Sequence, residues 1–253
     1  MLRVRAHGRS DRGLTRNHNE DCFELDPDLR LYLVADGMGG HRYGEVASRL
    51  AVDAIRRFVE KSTDRDATWP FVPEPDLHRH SNVLKIAFRI AHDKVLWAIQ
   101  NDRRLFGMGT TLVGFLLEEN LAAIAHVGDS RAYRLRRGDL ELLTEDHTWV
   151  NEQVVAGYLS EDQARIYPLK NVVTRALGGD KDVDVDVREV QVKAGDLYLL
   201  CSDGLTTMLS DAEIHQASTG SDVEAICRNL IAAANARGGL DNVTVVALMM
   251  VEE

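Results

Sequence analysis

TTLVGFLLEENLAAIAHVGDSRAYRLRRGDLELL, residues 110–143, sets the apolar runs TTLVGFLL, LAAIAHV, RAYRLR and LELL between the polar breaks EEN, GDS and RRGD. Strand-length runs joined by such short turns predict an antiparallel meander. Upstream, Leu84, Ala87, Ile90, Ala91, Val95, Ala98 and Ile99 recur at helical spacing, as do Val46, Ala47, Leu50, Ala51, Ala54, Ile55, Phe58 and Val59. Each set predicts an amphipathic helix with one buried stripe. Between them, KSTDRDATWPFVPEPDLHRHS (residues 61–81) holds three of the five prolines and no period, which marks a surface insertion. Leu2, Val4 and Ala6 alternate with polar residues, and LYLVAD (residues 31–36) is an apolar run, so both predict strands.

Downstream of the meander, residues 147–165 read as helical. DVDVDV (residues 182–187) reads as an edge strand with its aspartates on one face and its valines on the other. DLYLLCSD reads as a buried strand, Ser210 with Glu213 and Ser221 with Glu224 as capping boxes opening two helices, and NVTVVALMM as a last strand. No repeat and no break in composition interrupts the chain. The expectation is therefore one domain over residues 1–253, with strands from both ends in one core and helices outside β-sheets.

Composition narrows the function. Apolar residues make up 45% and charged residues 28% of the 253 positions, the balance of a globular protein. A net charge of -10 argues against nucleic acid, which needs clustered cationic side chains. The cysteines, Cys22, Cys201 and Cys227, form no CxxC pair, so neither a disulfide framework nor a zinc site is indicated. The first residues carry no signal-peptide core and no apolar run nears the ~20 residues of a membrane span. A soluble, cytoplasmic protein without a membrane partner is expected.

The acid excess has a pattern. LVADG (Asp36), AHVGDSR (Asp129) and LLCSDG (Asp203) each run an apolar strand into an aspartate beside a small residue, and GGLDNVTVVAL (Asp241) does so in reverse. Any one of these aspartates could simply form a turn. If they converge, they build a hard, oxygen-rich site suited to Mg²⁺ or Mn²⁺. RNHNED adds Arg16, Glu20 and Asp21, a guanidinium able to grip phosphate oxygens beside a pair of carboxylates. GMGGHRYGE is neither GxxxxGK[ST] nor GxGxxG, and no cysteine precedes an arginine at the spacing of cysteine-dependent phosphatases.

Taken in order, RNHNED, VADGMGG, GMGTTL, HVGDSRAYRL, LTEDHTW, LLCSDGL and GGLDNVTVV resemble the bacterial branch of the metal-dependent type 2C (PPM) protein serine/threonine phosphatases over nearly the whole chain. The resemblance implies an α+β fold, a four-layer α-β-β-α sandwich of two central antiparallel β-sheets flanked by antiparallel helices. It implies two tightly bound Mn²⁺ or Mg²⁺ ions and a weaker third. By similarity, Asp36 bridges two metals and the Gly37 carbonyl binds one. Asp203 and Asp241 complete one shell, Glu20 and Asp21 hold waters, and Asp129, with Asp203, serves the third ion. Arg16 matches the phosphate-binding arginine, and residues 146–176 match a flap beside the site. The implied reaction is hydrolysis of phosphoserine or phosphothreonine in proteins by a water or hydroxide bridging the metals. Phosphoprotein partners would include a serine/threonine kinase or its substrates, and the protein would act as a monomer. Some relatives carry a histidine after the Asp-Gly pair as general acid; Met38 stands there, leaving His41 as the candidate. The alternative is a catalytically silent phosphoprotein-binding module of the same fold.

Overall fold

The computed structural model describes residues 2–39, 43–64 and 68–252, with Arg165 described in its backbone alone. The meander forms as β6 (Leu112–Glu118), β7 (Leu121–Val127), β8 (Arg131–Arg136) and β9 (Asp139–Leu142). It does not stay in one sheet. β6 and β7 pair with each other, whereas β8 and β9 belong to a second sheet, so the turn through Gly128, Asp129 and Ser130 is where the chain changes layer. Gly128 permits that corner at φ +100, and a Cβ there would lie 2.5 Å from Cβ of Thr111.

One sheet runs β1 (Leu2–Asp11), β12 (Val243–Glu252), β11 (Leu197–Cys201), β8, β9. The other runs β10 (Asp186–Gln191), β7, β6, β3 (Leu31–Ala35), β2 (Cys22–Asp26). All these pairings are antiparallel, and β1 meets β12 over its full length, from Leu2 opposite Glu252 to Asp11 opposite Val243. Strands from the two ends of the chain thus share a sheet, as expected.

Three apolar clusters define four layers. Tyr32, Val34, Phe115, Tyr198, Leu200, Val246 and Leu248 fill the space between the sheets, where alternation along each strand sends every second side chain. Leu31, Leu33, Leu112 and Leu116 point the other way and meet α1 (Tyr43–Lys61) and α2 (Arg79–Asn101) through Ala51, Ile55, Leu84 and Phe88. On the opposite face, Leu199, Val245 and Ala247 meet α5 (Asp203–Thr206), α6 (Asp211–Ala217) and α7 (Val223–Ala236) through Leu205, Ile214, Leu230 and Ile231. A short pair, β4 (Gly37–Met38) with β5 (Gly109–Thr110), sits at the edge where the acidic motifs gather.

Local departures from the sequence reading have local causes. The single helix expected over residues 147–165 is two, α3 (Trp149–Val155) and α4 (Glu161–Ile166). Gly157 at φ +77 ends the first, and a box of Ser160 with Gln163 starts the second. Ser210 and Glu213 do form a capping box, but Asp222, not Ser221, caps α7, accepting from the Glu224 N–H. Strand structure in DVDVDV begins only at Asp186, although β10 is a sheet edge as expected. The loop before α2 is tied down: the Asn82 amide bonds both backbone groups of Glu74, and Arg79 lies 5.4 Å from the Trp69 ring centroid. No helix among the described residues is long and apolar enough to cross a membrane.

Candidate active site

The acidic motifs meet at one end of the sandwich because each ends or begins a strand there. Asp36 follows β3, Asp203 opens α5 directly after Ser202 at the end of β11, Asp21 precedes β2, and Asp241 precedes β12. Asp129 lies at the corner after β7. Packing two sheets face to face therefore brings together strand ends that lie far apart in sequence.

The loop that carries Arg16 and Glu20 is held by a residue to which sequence reasoning gave no role. Asn242 is 5% exposed. Its Oδ1 accepts from the Glu20 N–H at 2.8 Å, and its Nδ2 donates to the carbonyls of Arg12 (3.0 Å) and His18 (2.8 Å). Farther along, the Leu14 and Thr15 N–H groups donate to the Gly239 carbonyl. Arg16 leaves this loop and donates to Asp241 Oδ2 at 2.7 Å, with half its side chain still in solvent. Thr15, Arg16, Asn17, His18, Glu20, Gly39 and Asn242 line an open basin of about 430 Å³.

Glu20 and Asp21, adjacent in sequence, have different surroundings. Glu20 faces the basin, and its backbone carbonyl accepts from Ser48 Oγ. Asp21 turns inward, where Oδ2 accepts from Ser202 Oγ (2.8 Å) and Thr244 Oγ1 (2.6 Å). Ser202 and Thr244 are likewise positions that strand patterning alone does not single out. The Asp36 carbonyl is fixed by the Thr111 N–H (2.9 Å) and the Thr110 hydroxyl (2.8 Å). Gly37 passes so close to the first turn of α1 that a Cβ on it would lie 2.1 Å from the Gly44 carbonyl oxygen, so no other residue fits.

These carboxylates crowd one another. Burial, then the charges of Asp21, Asp203 and Asp129, push Asp36 well above the usual carboxylate range. Burial pushes Asp21 up to about 7 despite its two hydroxyl donors, with Asp203 and Asp241 adding to the rise. Burial, with Asp203 and Asp146 nearby, takes Asp129 to about 7. Burial and the Asp241 charge raise Asp203, and burial raises Glu20. Asp21 Oδ1 and Asp203 Oδ1 are buried oxygens without a hydrogen-bond partner. Buried anionic oxygens that lack donors and repel one another are suited to divalent cations with oxygen-only shells, so the donor set fits Mn²⁺ or Mg²⁺.

The structure thus gathers Asp21, Asp36, Asp129, Asp203 and Asp241, with Glu20 and Arg16 lining the basin and Gly37 packed between Gly44 and the Glu20 backbone. His41 lies outside the described residues.

The protein phosphatase 2C family model matches residues 15–241. The chain is 37% identical to the serine/threonine phosphatase stp of Listeria innocua, over 96% of this chain and 94% of that protein. It is 38% identical to the serine/threonine protein phosphatase PstP of Mycobacterium tuberculosis, over 99% of this chain and 46% of that longer one. The crystal structure of the M. tuberculosis phosphatase superposes with a TM-score of 0.88 at 36% identity, covering all of both chains. A structure of the PstP catalytic domain with two manganese ions superposes with a TM-score of 0.85 at 37% identity, again covering both chains in full. With that family model matched over residues 15–241, and relatives at 37–38% identity and solved structures that cover essentially the whole chain, the chain belongs to the protein phosphatase 2C (PPM) family of serine/threonine phosphatases.

Proposed function

We propose that the protein hydrolyses phosphoserine and phosphothreonine in other proteins with two divalent cations, Mn²⁺ or Mg²⁺, and so reverses the action of a serine/threonine kinase. The observation that carries this reading is the crowding of Asp21, Asp36, Asp129 and Asp203, two of them with buried, unpartnered oxygens. Asp36, Asp203, Asp241 and the Gly37 carbonyl would hold the two ions, Glu20 and Asp21 would orient water around them, and Asp129 would serve a weaker third. When bound, the cations supply an acidified water for attack on phosphorus and positive charge against the phosphoryl oxygens.

The chain's own residues provide the rest. Arg16 projects from a loop clamped by Asn242, and its exposed guanidinium is placed to take phosphate oxygens in the basin it lines. Its bond to Asp241 ties the phosphate grip to the metal shell, so the two parts share one geometry. Glu20 on the same wall orients water. His41 is retained as the candidate proton donor to the departing serine or threonine oxygen, since Met38 cannot serve. Residues 1–253 would act as one catalytic domain and as a monomer in the cytoplasm, with residues 61–81 as a surface insertion and residues 146–176 as a flap beside the basin.

The test is phosphate release from a phosphothreonine peptide with Mn²⁺, with chelator, and by Asp203→Ala and Asp241→Ala. Loss of turnover in both variants with a retained thermal transition supports the proposal. Chelator-resistant turnover, or full activity in both variants, sinks it.

A further inference from the structure

In the corner that aims Asp129, both peptide groups of Gly128 are held by one residue of the following segment, while Ser130 on the other side of Asp129 is tied to the Thr111 hydroxyl at 2.6 Å. Gly128 lacks a Cβ and sits at φ +100, so sterics alone leave its torsions loose. Two hydrogen bonds restrain it, and both come from His147. The His147 N–H donates to the Gly128 carbonyl at 3.0 Å, and the Gly128 N–H donates to His147 Nδ1 at 3.1 Å. Those groups belong to the two peptide planes that meet at the Gly128 Cα, so one residue fixes both torsions immediately before Asp129.

The bond to Nδ1 also fixes the tautomer. An Nδ1 that accepts carries no proton, so Nε2 must carry it. Nε2 lies 3.2 Å from Asp186 Oδ2, and the other Asp186 oxygen accepts from Arg175 at 3.2 Å. Asp186 thereby does for His147 what carboxylate partners do for ligand histidines elsewhere: it selects the tautomer and sets the ring's orientation. His147 is 4% exposed and stacks on His126 with centroids 4.7 Å apart. The same segment is anchored beside it by the bidentate pair of Arg131 with Asp146, at 2.8 and 2.7 Å, and by the Thr174 N–H to the His147 carbonyl.

His126, His147 and Asp186 bring possible ligand atoms within 4.8 Å of one another, yet they do not make a cation site. The rings are stacked at 20°, so their lone pairs run side by side and do not converge. Both nitrogens of His147 are engaged, and the Arg175 guanidinium already stands 3.3 Å from Nε2.

We infer that His147 is a positioning residue for Asp129: its imidazole, held in one tautomer by Asp186, fixes the Gly128 corner and so the approach of the Asp129 carboxylate to the cluster. The strength of the weakest cation site is then set by the segment that carries His147, not by Asp129 alone. This rests on the proposed role of Asp129 in holding a cation.

Isosteric substitutions separate the two nitrogens. His147→Asn places an amide oxygen where Nδ1 stands and keeps an acceptor for Gly128 while losing Asp186. His147→Gln reaches Asp186 but offers no acceptor at the Nδ1 position, and His147→Phe keeps the stacked ring with neither. Free Mn²⁺, read by electron paramagnetic resonance during titration, gives the affinity of each class of site independently of turnover. The expected result is a weak site loosened about tenfold in the Gln and Phe variants, on the scale of one hydrogen bond, and held within about threefold in Asn. The tighter sites stay unchanged in all three. Turnover should follow as a lower kcat at limiting Mn²⁺, recovered at high Mn²⁺, with KM for the peptide unmoved. Should the Phe variant fail to fold, the Asn and Gln pair decides. Weak-site affinity equal to the wild type in Gln, or loss in Asn as large as in Gln, overturns the inference. Asp129→Asn is the separate control: a wild-type chain with no weak site sensitive to it overturns the Asp129 assignment and the inference with it, whereas a site lost in Asp129→Asn but untouched in the Gln variant overturns the inference alone.

Discussion

Asn242→Ala removes three hydrogen bonds from a side chain that is 5% exposed, to Glu20 N–H, Arg12 C=O and His18 C=O, all on the loop that carries Arg16. Each such bond contributes about 1 kcal/mol net, so the three together are worth about 3 kcal/mol where the freed backbone groups are only partly rehydrated. For a chain of this size that corresponds to a fall in Tm of roughly 5–10 °C. Activity should fall further than stability accounts for. Arg16 would lose the anchor that holds it over the basin, and a displacement on the order of 1 Å in a positioning group costs about a hundredfold. The assay is thermal unfolding beside kcat/KM for a phosphothreonine peptide, both at saturating Mn²⁺ and at a temperature well below the variant's transition. A Tm within about 2 °C of the wild type, or kcat/KM within about twofold, refutes the reasoning: the contacts of Leu14 and Thr15 with Gly239 would then suffice to hold the loop.

Metal removal should make stability depend on pH in a stated direction. Asp21 and Asp129 titrate near 7 in the folded chain and at about 4 when unfolded, so their contribution is present below about pH 4 and is lost as pH rises through 7. In chelator, Tm should decline between pH 5 and 8 by more than it does with Mn²⁺, and parallel profiles in a differential scanning series would contradict the crowding of the cluster. Gly204→Ala would put a Cβ 1.9 Å from the Asn242 carbonyl oxygen, between two backbones that both carry site residues. A loss of about 3 kcal/mol in urea unfolding is expected, and a loss below about 1 kcal/mol would show that the backbone there yields freely.

Much of this molecule was legible in its residues, but unevenly. Continuous apolar runs such as LYLVA and LAAIAHV announce strands because both faces of each are buried, and the aspartates stand out because they end the most apolar runs. The layering was not legible in the same way. That β8 leaves the sheet of β7 depends on which faces meet across the whole chain, and a local pattern cannot express it; the family resemblance supplied it. Asn242, Ser202 and Thr244 escaped for the same reason, since the residues of the 12–21 loop that they bond lie 181 to 230 positions away. The break between α3 and α4 is a different case: Gly157 and the box of Ser160 with Gln163 are local signals that mark it within the sequence itself.

The most direct test of the central claim, that this cluster is a cation site, is anomalous diffraction at the manganese edge from crystals grown with Mn²⁺. Two strong peaks are predicted, both against Asp36, with one of them also within coordination distance of Asp203 and Asp241. Peaks elsewhere with none between these aspartates, or no peak at all at saturating Mn²⁺, would contradict the account.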